Sequence, residues 1–374
     1  MRIAHVIARF NRGGTATWLK LLIEEQIKNG HEVFLLSGYV QNGELEDDKF
    51  IDLNGIRISH LGRKVSIKND LRSLLEIRKI LKSLEIDLVN THTSKAGLLG
   101  RLAAFTIGKP AIVHTFHGHI LYGYFSKRAV RLITLTERIL ALITDLILVS
   151  GEQVRKDLIN SGIAKDCKMI LVRPGVMPPN ELSMKKPRTV LTIGWLGRLT
   201  EIKRPDRVLS LALKFPESNF LIGGEGHLEN FLKDVAPSNV EFLGWVNPYE
   251  FWSKCDIALL TSDNEAQPLS LVEAANYGIP AIAENVGSVR EVVVNGETGF
   301  LTESDSDREL NLKLLIENPE ILAKMGKKAM VFAQERFGVR QFSEAHENAY
   351  KDALKYHQNR IWARLLHALD HFLH

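Results

Sequence analysis

The stretch IAHVIARFNRGGTATWLKLLIEEQIKNGHEVFLLSG, residues 3–38, contains the pattern that decides the fold. An apolar run with β-branched residues is followed by a turn at Gly13 and Gly14. A helical pattern then runs to Gly30, where a glycine ends it, and a second apolar run follows. This order predicts a strand–helix–strand unit, and such units build parallel sheets covered by helices.

The same alternation of strand and helix continues to about residue 172 and resumes near 189. Between them, residues 173–188 hold four prolines, a composition typical of a linker. We therefore predict an α/β protein of two Rossmann-like, doubly wound domains, over residues 1–178 and 179–354, with a helix over 355–374 that packs back on the first domain. Such sheets bind ligands beyond the carboxyl ends of their strands, so the cleft between the two domains is the expected site.

Composition favours a soluble protein in a reducing compartment. The chain has 374 residues, 45% hydrophobic and 25% charged, and its longest apolar region, 132–150, is interrupted by charged residues. The first residues carry no apolar segment long enough for a signal peptide. Cys167 and Cys255 show no metal or redox spacing. We expect a cytoplasmic protein.

Charge is distributed unevenly along the chain. Residues 1–190 carry 29 Lys+Arg against 18 Asp+Glu, and the remainder carries 19 against 26. The basic half could face an anionic partner, or the two halves could simply have different solvated surfaces. Residues 95–138 contain seven basic residues but only one acidic residue, Glu137. The same segment contains aromatic residues, a combination that is typical of segments at a membrane surface. The basic residues are Lys95, Arg101, Lys109, Lys127, Arg128, Arg131 and Arg138, and the aromatic ones are Tyr122, Tyr124 and Phe125.

Three short stretches have residues that could bind a nucleoside-diphosphate sugar. Gly13 and Gly14, between a strand and a helix, let backbone N–H groups approach a phosphate, although a plain turn explains them equally well. Arg198 and Lys203 lie across the first strand-to-helix turn of the second half, where cations suit a diphosphate and surface charge is the alternative. The third stretch is EAQPLSLVE, residues 265–273.

That third stretch follows a predicted strand, so it lies at the same sheet edge as Arg198 and Lys203. Glu265 and Glu273 can each accept two hydrogen bonds from hydroxyl groups of a sugar or a ribose. The backbone between them, with Leu269 and Ser270, would present N–H groups to the same ligand.

The ordered set of these motifs resembles a known family. GR-x4-K at 197–203 followed by E-x7-E at 265–273 is similar to the retaining GT-B glycosyltransferases of family 4, also called glycosyl transferases group 1. RGGT (12–15), THTSKAGLLGRLAA (91–104) and VHTFHGH (113–119) extend the resemblance over nearly the whole chain. The middle fragments look most like bacterial enzymes that build surface polysaccharides.

The resemblance implies a role for each site residue. Gly13 and Gly14 would lie near the donor phosphates or the acceptor, and His117 beside the donor sugar. Arg198 and Lys203 would bind the diphosphate, while Glu265 would bind the sugar. Three residues near the nucleotide complete the set: Leu269, Ser270 and Glu273. Ala266 departs from the family, since many relatives have glycine there.

The activity implied is transfer of a hexose-type sugar, UDP-sugar favoured, to a glycan or a polyprenyl-diphosphate-linked acceptor, with retention at the anomeric carbon by front-face substitution. No metal or other cofactor is expected, and no nucleic acid; contact with the anionic inner face of the cell membrane is expected for the basic half. Two alternatives stay open: a UDP-sugar epimerase of the same fold, and a non-catalytic glycan-binding protein.

Two patterns imitate metal sites. His114, His117 and His119 lie close in sequence, but His114 and His117 should point to opposite sides of an extended segment. Asp305 and Asp307 form a D-x-D pattern where a helix should begin, so that helix capping explains them better than a metal.

Overall fold

A computed structural model describes residues 1–41, 44–62, 64–118, 126–178 and 190–373, the last of these with backbone only beyond Arg360. The chain divides into two compact units, Met1–Gly175 with Arg340–His374, and Val176–Val339. The segment with Tyr122, Tyr124 and Phe125, His119, and most of the predicted linker lie outside the described residues.

The first unit contains a parallel sheet of seven strands in the order β3-β2-β1-β4-β5-β6-β7. Its strands are β1 Arg2–Arg9, β2 Glu32–Gly38, β3 Gly55–Arg57, β4 Leu88–His92, β5 Ala111–Phe116, β6 Leu146–Val149 and β7 Met169–Leu171. Its helices are α1 Gly14–Lys28, α2 Ile67–Ser83, α3 Ser94–Ile107, α4 Lys127–Ile143 and α5 Glu152–Asn160. The opening stretch of the sequence is β1–α1–β2, and β1 pairs in parallel with β2 as predicted. The short edge strand β3 has no counterpart among the predicted elements.

The second unit contains a parallel sheet of six strands in the order β10-β9-β8-β11-β12-β13. Its strands are β8 Thr192–Leu196, β9 Asn219–Gly223, β10 Val240–Gly244, β11 Ile257–Leu260, β12 Ala281–Glu284 and β13 Gly299–Thr302. Its helices are α6 Asp206–Lys214, α7 Glu229–Asp234, α8 Pro248–Lys254, α9 Leu269–Asn276, α10 Asp305–Glu317 and α11 Pro319–Phe337. Both sheets therefore have the doubly wound α/β architecture expected from the sequence.

The two faces of the first sheet differ in chemistry. Ala4, Val6 and Ala8 of β1 join an apolar cluster with residues of α2 and α3. The alternate residue, His5, is fully buried on the other face, where its ring contacts Gln26 of α1. Because side chains alternate along a strand, one face is an apolar core and the opposite face carries buried polar groups.

The last helix, α12 (Val339–Leu373), adds to this polar face of the first unit. Tyr350 accepts a hydrogen bond of 2.7 Å from Asn90 at the middle of β4. Further along the helix, His357 contacts the Asp145 carboxylate at 3.0 Å and Arg360 contacts it at 3.2 Å. Buried polar partners of this kind fix the register of a helix on a sheet, because a shift would leave them unsatisfied.

In the second unit, a glycine in the central strand is required by packing. A Cβ at Gly194 in β8 would lie 2.5 Å from Cys255 Sγ and 3.0 Å from the Trp252 ring. Both neighbours are fully buried at the end of α8. The glycine therefore lets α8 approach the sheet closely, and Cys255 fills a core position. Among the described residues, no helix is long and apolar enough to cross a membrane.

Candidate active site

In the second unit, the predicted site residues follow the two strands at which the sheet order reverses. The second sheet grows outward from β8 through β9 to β10, and in the other direction from β11 through β12 to β13. β8 and β11 are adjacent and parallel. Arg198 and Lys203 follow β8, while Glu265 and Glu273 follow β11. All four lie beyond the carboxyl ends of the two strands at the switch point, the place where open α/β sheets bind ligands.

Lys203 and Glu265, which the sequence places 62 residues apart, form an ion pair of 2.5 Å. The same carboxylate oxygen accepts a hydrogen bond of 2.7 Å from Ser262 Oγ. Glu265 is only 9% exposed, whereas the Lys203 side chain is 23% exposed. The sequence hypothesis assigned these two residues to separate parts of the ligand, whereas the structure pairs them with each other.

Hydroxyl and indole groups hold the two loops of this pair together. Thr261 Oγ1 donates a hydrogen bond of 2.9 Å to the Lys203 carbonyl, and it accepts one of 2.9 Å from Trp195 Nε1 in β8. Sequence reasoning missed Thr261 and Ser262. The sequence did contain a signal for them, because two residues with hydroxyl groups directly follow the apolar strand β11. They fix the geometry of the loop that carries Glu265.

Arg198 differs from the arginines beside it. Arg204 is paired with Asp206 at 2.7 Å, and Arg207 with Asp263 at 2.9 Å. The Arg198 side chain is exposed, and within the described ranges it contacts no hydrogen-bond acceptor. It is therefore a cation at the sheet edge that can bind an anionic ligand without losing an ion pair to any described residue.

Glu273 is the fifth residue of α9, and its side chain is half-buried beside Trp252. Burial raises the pKa of Glu273 to about 8, and a hydrogen bond with Trp252 opposes that rise. The carboxyl group is therefore mainly protonated at neutral pH. In that state it can donate one hydrogen bond and accept others, which differs from the purely accepting carboxylate assumed from the sequence.

The predicted backbone donors lie at the start of the same helix. Leu269 and Ser270 are the first two residues of α9, and Pro268 precedes them without a capping side chain. Their N–H groups point out of the first turn, as the leading N–H groups of a helix do. They offer an anion or a hydroxyl oxygen hydrogen bonds next to Glu273.

Gly13 and Gly14 lie at the start of α1 in the first unit, where the chain leaves β1 beside β4. Gly13 has φ of +146°, a conformation that side chains rarely adopt, so the backbone itself requires glycine. Gly14 has an ordinary φ, and a Cβ there would meet nothing within 4 Å. No contact within the described part of the unit thus explains Gly14, and close approach of a ligand to the helix start would explain it.

His117 follows β5, and its ring is held by two neighbours from other elements. His117 Nε2 lies 2.9 Å from His92 Nδ1, and the ring packs edge-to-face on Trp18 of α1 with centroids 4.5 Å apart. Burial lowers the pKa of His117 to about 3. The ring is therefore neutral at physiological pH.

The two metal-like patterns have the geometry expected of ordinary structure. His114 is hydrogen-bonded to Thr91 Oγ1 at 2.8 Å, on the opposite side of β5 from His117. Among the described residues, no three His, Cys, Asp or Glu side chains are arranged to hold a metal. Asp305 and Asp307 lie in the first turn of α10, capped by Ser304, and Asp305 pairs with Arg308 at 2.8 Å.

The basic segment 95–138 is only partly a charged surface, which corrects the sequence analysis. Arg101 is fully buried and paired with Glu137 at 2.6 Å, and Lys95 is paired with Asp70 at 2.5 Å. By contrast, one face of α4 exposes cations and apolar side chains together. The exposed residues of this face, called the α4 face below, are Lys127, Arg128, Arg131, Leu132, Leu135, Arg138, Ile139 and Leu142.

Comparison with known proteins gives two family matches and a set of relatives. Residues 12–178 match the family described as Glycosyltransferase Family 4, and residues 180–331 match Glycosyl transferases group 1. The chain is 29% identical to the Escherichia coli UDP-Gal:alpha-D-GlcNAc-diphosphoundecaprenol alpha-1,3-galactosyltransferase, a match that covers 77% of this chain and 81% of that protein. It is 28% identical to the O-antigen biosynthesis glycosyltransferase WbnH of E. coli, over 82% and 87% of the two chains.

Among solved structures, the chain resembles Anabaena Alr3699/HepE in complex with UDP. The TM-score is 0.77 at 19% identity, over 94% of this chain and 100% of that one. A further structure of the same Anabaena protein is a complex with UDP-glucose.

Proposed function

The chain is a glycosyltransferase with the GT-B fold, made of a Glycosyltransferase Family 4 domain and a Glycosyl transferases group 1 domain, and we propose that it moves a hexose-type sugar from UDP to a lipid-diphosphate-linked glycan. The observation that carries the proposal is the group of Arg198, Lys203, Glu265 and Glu273 at the switch point of the second sheet. The exposed cation of Arg198 suits a diphosphate, and the Lys203–Glu265 pair suits the junction of diphosphate and sugar. The neutral carboxyl group of Glu273 suits a ribose.

UDP as the nucleotide is supported by the names of the relatives. The E. coli galactosyltransferase is named for UDP-Gal, and the Anabaena protein was crystallised with UDP and with UDP-glucose. The proposed acceptor has the same kind of support, because that E. coli relative is named for a sugar on diphosphoundecaprenol. Surface polysaccharide synthesis at the inner face of the cell membrane is the corresponding role.

The proposed mechanism is front-face substitution with retention. The bond between the anomeric carbon and the diphosphate oxygen breaks, the acceptor oxygen bonds to the carbon on the same face, and the acceptor's proton passes to the departing diphosphate. Arg198 and Lys203 stabilise the charge that grows on the leaving group. Lys203 must exchange part of its contact with Glu265 for the phosphate, which frees the Glu265 carboxylate for sugar hydroxyls. Two cations supply the charge that a metal would, so we propose that no metal is needed.

A donor screen tests the proposal. Nucleotide release from UDP-, GDP- and ADP-sugars should require UDP and should rise when a lipid extract that contains polyprenyl-diphosphate glycans is added. NMR of the product should show the anomeric configuration of the donor. Conversion of the donor to its epimer without any acceptor would instead favour the epimerase.

Replacement of Arg198 tests the assignment of the leaving-group site. Arg198→Ala should lower turnover about tenfold or more, because it removes one preorganised cation from the transition state. The matched control is Arg336→Ala, which removes an exposed arginine on α11. Equal turnover of the two variants with a verified donor would contradict the assignment.

A further inference from the structure

A chain of three histidines and one glutamine crosses the polar face of the first sheet. His117 Nε2 lies 2.9 Å from His92 Nδ1, His92 Nε2 lies 3.0 Å from His5 Nδ1, and His5 Nε2 lies 2.8 Å from Gln26 Oε1. His5, His92 and Gln26 are buried, with at most 2% of each exposed. The four groups come from α1, β1, β4 and the residue after β5, so only the folded sheet brings them together.

Every ring in this chain is neutral at physiological pH. Burial lowers the pKa of His5 to about 4 and that of His117 to about 3. Burial and the neighbouring histidines together hold the pKa of His92 well below its ordinary value. A neutral imidazole has one N–H donor and one bare nitrogen acceptor. Each ring can therefore donate on one side only.

Because each ring donates on one side only, the hydrogen bonds between Gln26, His5, His92 and His117 must all run in the same direction. The Gln26 carbonyl oxygen can only accept, so His5 must donate to it from Nε2, which leaves His5 Nδ1 bare. His92 must then donate from Nε2, and His117 must donate from Nε2 to the bare Nδ1 of His92. We propose that Gln26 fixes the tautomer of His117 through His5 and His92, so that His117 Nδ1 is a hydrogen-bond acceptor for a hydroxyl group of the donor sugar or the acceptor.

The consequence for ligand recognition is specific. His117 Nδ1 can take a hydrogen bond from a hydroxyl group, whereas it cannot donate one to a phosphate oxygen. The edge-to-face contact with Trp18 holds the ring plane, so the lone pair has a fixed direction. Gln26, His5 and His92 are positioning residues for this contact. The identity of the hydroxyl rests on the proposed sugar transfer, but the tautomer does not.

Nitrogen NMR of isotope-labelled histidine side chains in the full-length protein tests the tautomer without any substrate. The His117 signals, identified by their loss in His117→Gln, should show a protonated Nε2 and a bare Nδ1 at neutral pH. A protonated Nδ1, a charged ring or a mixture of tautomers would overturn the proposal. Failure of the sugar-transfer proposal would leave this measurement unchanged, so that the two outcomes are separable.

A substitution at Gln26 tests the origin of the direction. Gln26→Met keeps the length of the side chain but removes the acceptor, so the His117 tautomer should become mixed. The matched control is Gln358→Met, which makes the same change at an exposed position of α12 and should leave the tautomer as it is in the wild type. Transfer by Gln26→Met should fall roughly fivefold, the effect of losing one neutral hydrogen bond, with UDP affinity unchanged. An unmixed tautomer in folded Gln26→Met would overturn the role of Gln26; if that variant does not fold, the wild-type spectrum still decides the direction.

Discussion

At the scale of single residues, two glutamates eight positions apart have opposite surroundings. Glu265 accepts hydrogen bonds from Lys203 and Ser262, so it is a charged partner in a polar loop. Glu273 lies one turn into α9, where burial raises its pKa to about 8. Their spacing alone predicted two similar hydroxyl acceptors. Surroundings make one of them a carboxylate in an ion pair and the other a mainly protonated group.

This difference predicts different effects of the two alanine substitutions on UDP binding. Glu273→Ala should weaken UDP binding roughly fivefold, because the hydrogen bond that is lost involves a neutral group. Glu265→Ala should leave UDP affinity unchanged or raise it, since Lys203 is released from its partner, while transfer falls. Calorimetric titration of both variants with UDP provides the measurement. An equal loss of affinity in both would contradict the division of roles.

The raised pKa of Glu273 also predicts how stability depends on pH. The folded chain holds a proton with a pKa of about 8, against an ordinary value of 4.5 in the unfolded chain. The contribution of the protonated Glu273 carboxyl group to the free energy of unfolding is therefore complete below pH 4.5, and it is lost as the pH rises through 8. Glu273→Gln imitates the protonated group, so it should flatten this decline, by about 1.4 kcal/mol for each pH unit between the two pKa values, and it should be more stable than the wild type above pH 8. Chemical denaturation across this pH range measures it.

The control for this measurement is Glu320→Gln, which changes an exposed carboxyl group at the start of α11 in the same unit. It should leave the pH dependence of unfolding as it is in the wild type. A parallel decline in Glu273→Gln and the wild type would mean that Glu273 is already ionised in the folded chain.

At the scale of elements, the start of α10 shows how a helix terminus imitates a metal site. Asp305 and Asp307 stand in its first turn, where carboxylates interact favourably with the helix dipole, and Ser304 Oγ accepts a hydrogen bond of 3.2 Å from the Asp307 N–H. Arg308 already pairs with Asp305. These partners give the two carboxylates a structural role.

Transfer activity should therefore persist in full when EDTA removes divalent metals. Arg198 and Lys203 would supply the positive charge at the leaving diphosphate. Asp307→Asn should change turnover by less than about twofold, since it weakens only a helix start. Activity that is lost in EDTA and restored only by manganese would contradict this prediction and make Asp305 and Asp307 candidate ligands.

The elements themselves were largely predictable, because their patterns are local. The spacing of apolar residues predicted the alternation of strands and helices in both units, and a glycine turn predicted the start of α1. The edge strand β3 was missed because its sequence, Gly-Ile-Arg, holds a single apolar side chain and so gives no strand pattern. The Lys203–Glu265 pair and the chain from Gln26 to His117 were also missed. Such contacts depend on which strands are neighbours in a sheet, and that order is a property of the topology.

At the scale of the whole molecule, the excess of positive charge in residues 1–190 places fewer unpaired cations on the surface than the sequence suggested. Arg101 and Lys95 neutralise Glu137 and Asp70 within the first unit. The α4 face keeps its cations exposed, and it adds leucines and isoleucine that are 55–75% exposed. Glu137, the one acid of α4, is buried. A face with cations, large apolar side chains and no exposed acid suits an anionic lipid surface.

The final prediction concerns attachment of the protein to membranes through the α4 face. Attraction to an anionic surface contributes about 1 kcal/mol for each well-placed Lys or Arg, so Lys127, Arg128 and Arg131 would together contribute about 3 kcal/mol. This is enough for reversible attachment, and salt should weaken it by screening. The protein should therefore sediment with anionic vesicles at low salt and be released at high salt.

Replacement of Lys127, Arg128 and Arg131 with Ser should abolish that sedimentation but spare hydrolysis of the donor, because the proposed donor residues Arg198, Lys203, Glu265 and Glu273 belong to the second unit. The matched control replaces three exposed lysines of that unit, Lys313, Lys324 and Lys327, with Ser, and so makes the same change in net charge. If both triple variants lose vesicle binding equally, net charge is the cause. If neither does, or if neutral vesicles bind as well as anionic ones, the cations of the α4 face form an ordinary solvated surface. Loss in the first variant alone would place the attachment on α4, because only the position of the three charges differs between the two proteins.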